Sequence, residues 1–196
     1  KMKTALIFGS SGLIGNELLN IIVQNNNYNH IKLFVRSVPK NNNSKVEIIQ
    51  TDFTNLEKHK GSIVGDDCFF CIGTTRKNTP NKNEYRRIEY NIPINVAQIA
   101  KSNFVNSFVY VSSIGANPNS SGSYLKNKGQ VEEELNILNF LKLAVIRPSL
   151  LLGKRKKHRL GESIAIPLMK MLSLFFIGSL KKYKPIQVEY VAKAMV

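Results

Sequence analysis

The apolar run Thr4–Phe8 opens directly into Gly9-Ser10-Ser11-Gly12-Leu13-Ile14-Gly15, and the helical pattern Leu13–Val23 follows at once. A G-x-x-G-x-x-G turn between a strand and a helix leaves a chain few options. Glycine tolerates positive φ and lets another backbone, or a ligand, come close. The helix start then presents unpaired N–H groups and the positive end of its dipole. Strand before and helix after, at the head of a βαβ unit, is the setting in which such a turn receives a pyrophosphate.

The rest of the chain keeps this alternation. Strand-like runs fall at His30–Val35, Val46–Gln50, Cys68–Ile72, Phe108–Ser112 and Leu143–Ile146. Helical spacing covers Glu84–Lys101, where Pro93 predicts a kink or the true start, and Lys128–Phe140. Strands separated by helices of this length predict an α/β fold with a doubly wound parallel sheet of the Rossmann type. With 196 residues and 43% apolar content, the chain suffices for one core without staples. The expected division is a dinucleotide-binding domain over 1–153 and a small substrate-side annex over 154–196. No apolar run reaches the ~18 residues of a membrane span. The start Lys1-Met2-Lys3-Thr4 shows no cleavable signal, and Met2 is the expected native start. The chain stops inside a helical pattern, Val188–Val196, which suggests truncation.

The second strand ends Val35-Arg36-Ser37, where an NAD site expects a carboxylate for the ribose hydroxyls. Arg36 fits a 2′-phosphate instead, so NADP(H) is the expected cofactor. Asp52-Phe53, past the third strand, is placed to meet the adenine. Gly73-Thr74-Thr75, past the fourth, offers small residues where the cofactor crosses the sheet edge.

The fifth strand ends in Ser112-Ser113, and Tyr124-Leu125-Lys126-Asn127-Lys128 follows. The i, i+4 spacing sets phenol and ammonium on one helical face. A phenol with a pKa near ~10 is a poor acid or base at neutral pH, and a neighbouring ammonium favours the phenolate. A serine at the strand end would orient a carbonyl, and alternation selects Ser113 over Ser112. The candidate catalytic set is Ser113, Tyr124 and Lys128.

With these residues the chain resembles the short-chain dehydrogenase/reductase superfamily in its extended or atypical branch. More narrowly it is similar to the Tat-interacting-protein-like oxidoreductases and their bacterial relatives. The resemblance is carried by Gly9, Gly12, Gly15, Asp52, Tyr124 and Lys128. It also rests on Cys71-Ile72-Gly73-Thr74-Thr75-Arg76, Val111-Ser112-Ser113-Ile114-Gly115-Ala116 and Arg147-Pro148-Ser149-Leu150-Leu151-Leu152-Gly153. It spans nearly the whole chain. It implies NADP(H) contacts from Gly9, Ser11, Leu13, Ile14, Arg36, Ser37, Asp52, Phe53, Gly73, Tyr124, Lys128 and Pro148. Asn91 stands near the position of the active-site asparagine of many members.

Net charge is +15, from 28 basic and 13 acidic residues, and residues 151–196 hold ten of the former and two of the latter. The basic run Lys154–Arg159 is read as a solvated loop or as an anion site over the substrate mouth. No aromatic interleaving or motif accompanies it, so nucleic acid is disfavoured. Ser163–Ile177 is expected to line the core or the cleft, ahead of an oligomer face or a lipid contact. Cys68 and Cys71 sit in an apolar run and read as core rather than as a metal or redox pair, which suggests a reducing, cytoplasmic setting. The leading expectation is an NADP(H)-dependent oxidoreductase, a homodimer in solution, acting on a small and anionic carbonyl or alcohol. A nucleotide-sugar epimerase or dehydratase and a non-catalytic NADPH-binding regulator are the alternatives.

Overall fold

The computed structural model describes residues 2–41, 43–153 and 183–196. Six parallel strands form its sheet: β1 (Lys3–Phe8), β2 (Tyr28–Val35), β3 (Val46–Gln50), β4 (Asp67–Phe70), β5 (Ser107–Val111) and β6 (Lys142–Ile146). Their spatial order is β3-β2-β1-β4-β5-β6. The chain therefore winds outward from β1 in one direction and returns to build outward from β4 in the other. This is the doubly wound arrangement the alternating pattern predicts.

Strand alternation sorts the core into two layers. Leu6, Phe8, Cys68, Phe70, Phe108 and Tyr110 face one side, with α3 (Ile92–Ser102) and α4 (Ser123–Ile137) over them. Ala5, Ile7, Phe69 and Val109 face the other, under α1 (Leu13–Gln24) and α5 (Val188–Ala194). Both faces are covered, so the central strands read as near-continuous apolar runs. Phe34, Phe8, Phe70 and Tyr110 are in register across β2, β1, β4 and β5. Phe8 stacks on Phe34 at 4.3 Å, and these rings floor the carboxyl end of the sheet.

Some boundaries differ from the sequence expectation. β4 stops at Phe70, because Cys71 turns away to begin the next loop. α4 starts at Ser123, five residues before the expected Lys128, and Tyr124 thus lies in its first turn. The long helix is split. A short α2 (Lys82–Arg86) passes into a π turn over Arg87–Asn91, where the Ile92 N–H bonds Arg87 C=O, and α3 begins immediately before Pro93. Proline has no N–H to donate, and the wider turn just before it absorbs the missing bond.

Beyond the sheet, β7 (Leu151–Leu152) pairs with β8 (Ile186–Gln187), and this leads α5 onto α1. Val188, Val191, Ala192 and Met195 join the α1-side core. The basic run Lys154–Arg159 and the apolar stretch Ser163–Ile177 lie outside the described residues. Cys68 and Cys71 are free and turn to opposite layers of the core, so their spacing makes no pair.

Candidate functional site

The two loops that leave β1 and β4 go to opposite faces of the sheet, and a crevice opens between them at the carboxyl edge. The first turn is closed by Gly12 N–H to Gly9 C=O at 3.0 Å. Gly9 holds φ +91°, and a Cβ there would stand 2.8 Å from the Ile72 amide. A Cβ on Gly15 would come within 2.2 Å of the Gly9 carbonyl oxygen. Two of the three glycines are thus required by backbone contact. No side chain caps the start of α1, whose N-terminus points its donors at the crevice mouth.

A cleft of about 290 Å³ runs along this edge. Gly9, Ser11 and Gly12 line it from the first turn, Arg36 from the end of β2, Asp52 and Phe53 from the end of β3, and Gly73 and Thr74 from the end of β4. Eight of the expected cofactor residues are therefore brought together. Leu13, Ile14 and Gly15 lie in the first turn of α1, behind the lining, where Ile14 and Gly15 are buried. Ser37 is exposed beyond Arg36. Pro148 sits past β6, and its carbonyl accepts the Ile114 N–H at 3.0 Å. A larger hollow of about 430 Å³ lies between the Thr54–Glu57 turn and α3, but none of the expected site residues line it.

One end of the cleft carries two guanidinium groups. Arg36 is exposed there. Arg87, from the π turn, makes a two-pronged pair with Glu84 at 2.7 and 2.8 Å and donates to the Phe53 carbonyl at 3.0 Å. That bond, with Phe53 N–H to Thr51 Oγ1 at 3.1 Å, braces Phe53 in a left-handed conformation, φ +63°. Asp52 accepts both the backbone N–H and the hydroxyl of Thr54, which hold its carboxyl below the usual range. Arg87 has no sequence signal. It lies about fifty residues after Arg36, and only the return of the chain past β4 brings it near.

Two members of the proposed catalytic set, Tyr124 and Lys128, stand on α4, and Ser113 follows the end of β5. Tyr124 is 40% exposed at the helix start. Lys128, one turn on, is buried and donates to the Val111 carbonyl at 3.1 Å. Its Nζ lies 4.8 Å from the Tyr110 ring centre and 3.2 Å from Glu89 Oε2. Burial by itself would lower the Lys128 pKa. Coulombic attraction to Tyr110, Glu89 and Tyr124 outweighs it and raises the value, the tyrosines contributing only as phenolates. Ser112 is buried and donates to Glu132, which also takes a two-pronged bond from Arg147. Ser113 is only half-buried, its hydroxyl 3.3 Å from the Ile114 carbonyl, so it is the more accessible serine.

Asn91 is exposed at the end of the π turn, and the residue facing Lys128 is Glu89. Glu89 also accepts the Thr74 N–H at 2.5 Å through its other oxygen. Sequence reading missed it because an acid in a helical pattern reads as a solvated face.

An NAD(P)H-binding family model matches residues 9–163. Protein FMP52, mitochondrial, of Debaryomyces hansenii is 34% identical, with 98% of this chain and 86% of the relative aligned. Protein HTATIP2 of Rattus norvegicus is 33% identical over 83% of this chain and 69% of its own length. Among solved structures, the UDP-N-acetylglucosamine 4-epimerase of Methanobrevibacter ruminantium M1 superposes with a TM-score of 0.74 at 16% identity, covering 100% of this chain and 72% of the epimerase. That similarity speaks to the fold. The fungal relatives from three yeasts are named mitochondrial, which overturns the cytoplasmic expectation. Buried free thiols show that no disulfide is needed, and this is true in more than one compartment.

Proposed function

The chain belongs to the NAD(P)H-binding family, and we propose that within it this protein works as an NADP(H)-dependent oxidoreductase of the short-chain dehydrogenase/reductase type on a small carbonyl or alcohol. The glycine cradle fits the cofactor's pyrophosphate, since a Cβ at Gly9 or Gly15 would strike backbone. One observation carries the reading. Lys128 is joined through Glu89 to Thr74, and Thr74 lines the cofactor cleft. This contact supports reading the Tyr-Lys pair and the cleft as one site.

NADPH, when bound, supplies a hydride. The protein's own groups do the remainder. Tyr124 Oη gives a proton to the carbonyl oxygen in reduction and takes it back in oxidation. The Lys128 ammonium, one helical turn away, would stabilise the negative charge left on the Tyr124 oxygen. Ser113 Oγ hydrogen-bonds the carbonyl and orients it. Arg36 would take the 2′-phosphate by charge-assisted bonds. The fungal relatives' names add a mitochondrial setting to the same reading.

Fluorescence titration with NADPH and NADH, followed by a panel of carbonyl compounds, tests this. Tyr124→Phe is expected to cut turnover by ~10²–10⁴-fold, the usual worth of a general acid, with NADPH still bound. Equal activity in that variant would remove Tyr124 from the reaction. A second reading, a non-catalytic NADPH-responsive protein, draws on the burial and pairing of Lys128. NADPH binding without turnover on any member of the panel would select it.

A further inference from the structure

We propose that Glu89 is a positioning residue of this site: its carboxylate ties the Gly73-Thr74 turn of the cofactor cleft to Lys128 and is the counter-charge that keeps this lysine protonated beside Tyr124. The inference rests on the Tyr124–Lys128 reading above and adds a residue to it.

The geometry is specific. One Glu89 oxygen accepts the Thr74 N–H, and the other stands 3.2 Å from Lys128 Nζ. The Glu89 side chain is 0% exposed and that of Lys128 5%. Neither charge can therefore be hydrated by bulk water. An ammonium this deep without a partner gives up its proton, because burial penalises the charged form. The other groups around it are no substitute. Tyr110 from β5 is a phenol, and burial raises its pKa, so it offers no negative charge there. Cys71, past β4, is a buried thiol pushed up to about 12. Tyr85 from α2 is likewise pushed up to about 12, and Arg76, 5.0 Å over its ring, adds positive charge. Among these groups Glu89 is the one carboxylic side chain.

Two effects follow from the pair. Glu89 preserves the Lys128 charge, and it offsets part of that charge at Tyr124. Removing a negative charge from the cluster makes loss of its first proton easier, whichever partner releases it. In Glu89→Gln the amide oxygen can still accept the Thr74 N–H, so a role limited to shape would leave the titration where it was.

The test is a ¹³C NMR titration of protein labelled at tyrosine Cζ and lysine Cε, with Tyr124→Phe and Lys128→Met spectra for assignment. No cofactor or substrate is needed. In Glu89→Gln the first proton of the Tyr124–Lys128 pair is expected to leave about one pH unit lower than in the wild type, a tenfold change. An unchanged midpoint overturns the proposal. If Glu89→Gln does not fold, the Glu89→Gln/Lys128→Met double variant is expected to fold, since it removes the ammonium with its counter-charge. Failure of the double variant also overturns the proposal. NADPH titration of the wild type decides the cofactor reading separately, so the two cannot fail together unnoticed.

Discussion

Arg36 is the residue on which cofactor choice turns. It stands exposed at the end of β2, at a cleft that also holds Asp52 and Arg87. Hydrogen bonds to charged groups contribute roughly 1.5–3 kcal/mol. Arg36→Ala should weaken NADPH about 10–100-fold and leave NADH nearly unchanged, as read by fluorescence titration. Equal losses for both cofactors would assign Arg36 to the adenosine rather than to the phosphate. Gly15 makes a second case. Gly15→Ala puts a methyl 2.2 Å from the Gly9 carbonyl oxygen, and only a backbone shift relieves it. Overpacking of this kind costs about 1–3 kcal/mol or more. Gly61→Ala is the control, with nothing within 4 Å of the new Cβ. The urea midpoint should fall clearly in the first variant and stay within error in the second. The glycine turn, Arg36, Asp52 and the Tyr-Lys spacing were all legible in the linear chain, because each is a local signal. Glu89 and Arg87 were not. Their meaning depends on partners 39 and 34 positions away, Lys128 and Phe53.

At the scale of elements, α4 matters most, because it carries both Tyr124 and Lys128. It is held to the sheet by a polar clamp as well as by Val131 and Leu135. Glu132 on α4 receives Ser112 from the end of β5 and Arg147 from the end of β6. Arg147→Met would leave the buried Glu132 carboxylate with Ser112 as its remaining partner among these. The Arg147 side chain is 55% exposed, so solvent screens the pair and the expected cost is modest, about 1–2 kcal/mol. Glu132→Gln/Arg147→Met should recover part of it in a double-mutant cycle of urea midpoints. Additive losses would mean that the two side chains act independently. The helix start shows how element boundaries escape sequence reading. Apolar periodicity marked Lys128 as the opening, but in the first turn from Ser123 only Leu125 is aliphatic and the rest is exposed, so it leaves no periodic trace. Pro93 marked a discontinuity correctly, though not its form, which is a π turn.

At the scale of the whole molecule, the buried thiols and phenols among the described residues make the fold less stable in alkali. Burial raises the pKa of Cys68 and Cys71, and of Tyr28, Tyr85, Tyr90 and Tyr110, with Cys71 and Tyr85 pushed up to about 12. Folding favours the neutral form of each. Unfolded, these thiols ionise near pH 9.0 and the phenols near 10.0. Above pH 9 the unfolded chain therefore holds fewer protons than the native one, and stability falls as pH rises. The contribution is complete below pH 9 and is lost progressively toward pH 12. Urea midpoints at pH 8, 9.5 and 11 should decline in that order. A flat profile would contradict the buried, neutral state of these groups. Relief of self-repulsion as lysines discharge works the other way, but it is centred near ~10.4, above the range in which the unfolded thiols titrate.

Local chemistry was enough to settle that this chain winds a parallel sheet around a glycine turn. Hydrophobic alternation, turn glycines and i, i+4 spacing act over a few residues, and they survive in a linear string. Which charges end up facing each other was decided by the tertiary fold alone. Thr74, Glu89 and Lys128 come from three different loops and helices, and they meet because β4 and β5 lie side by side. An acid and a base shut away from water must find each other, and folding brings them together from across the chain.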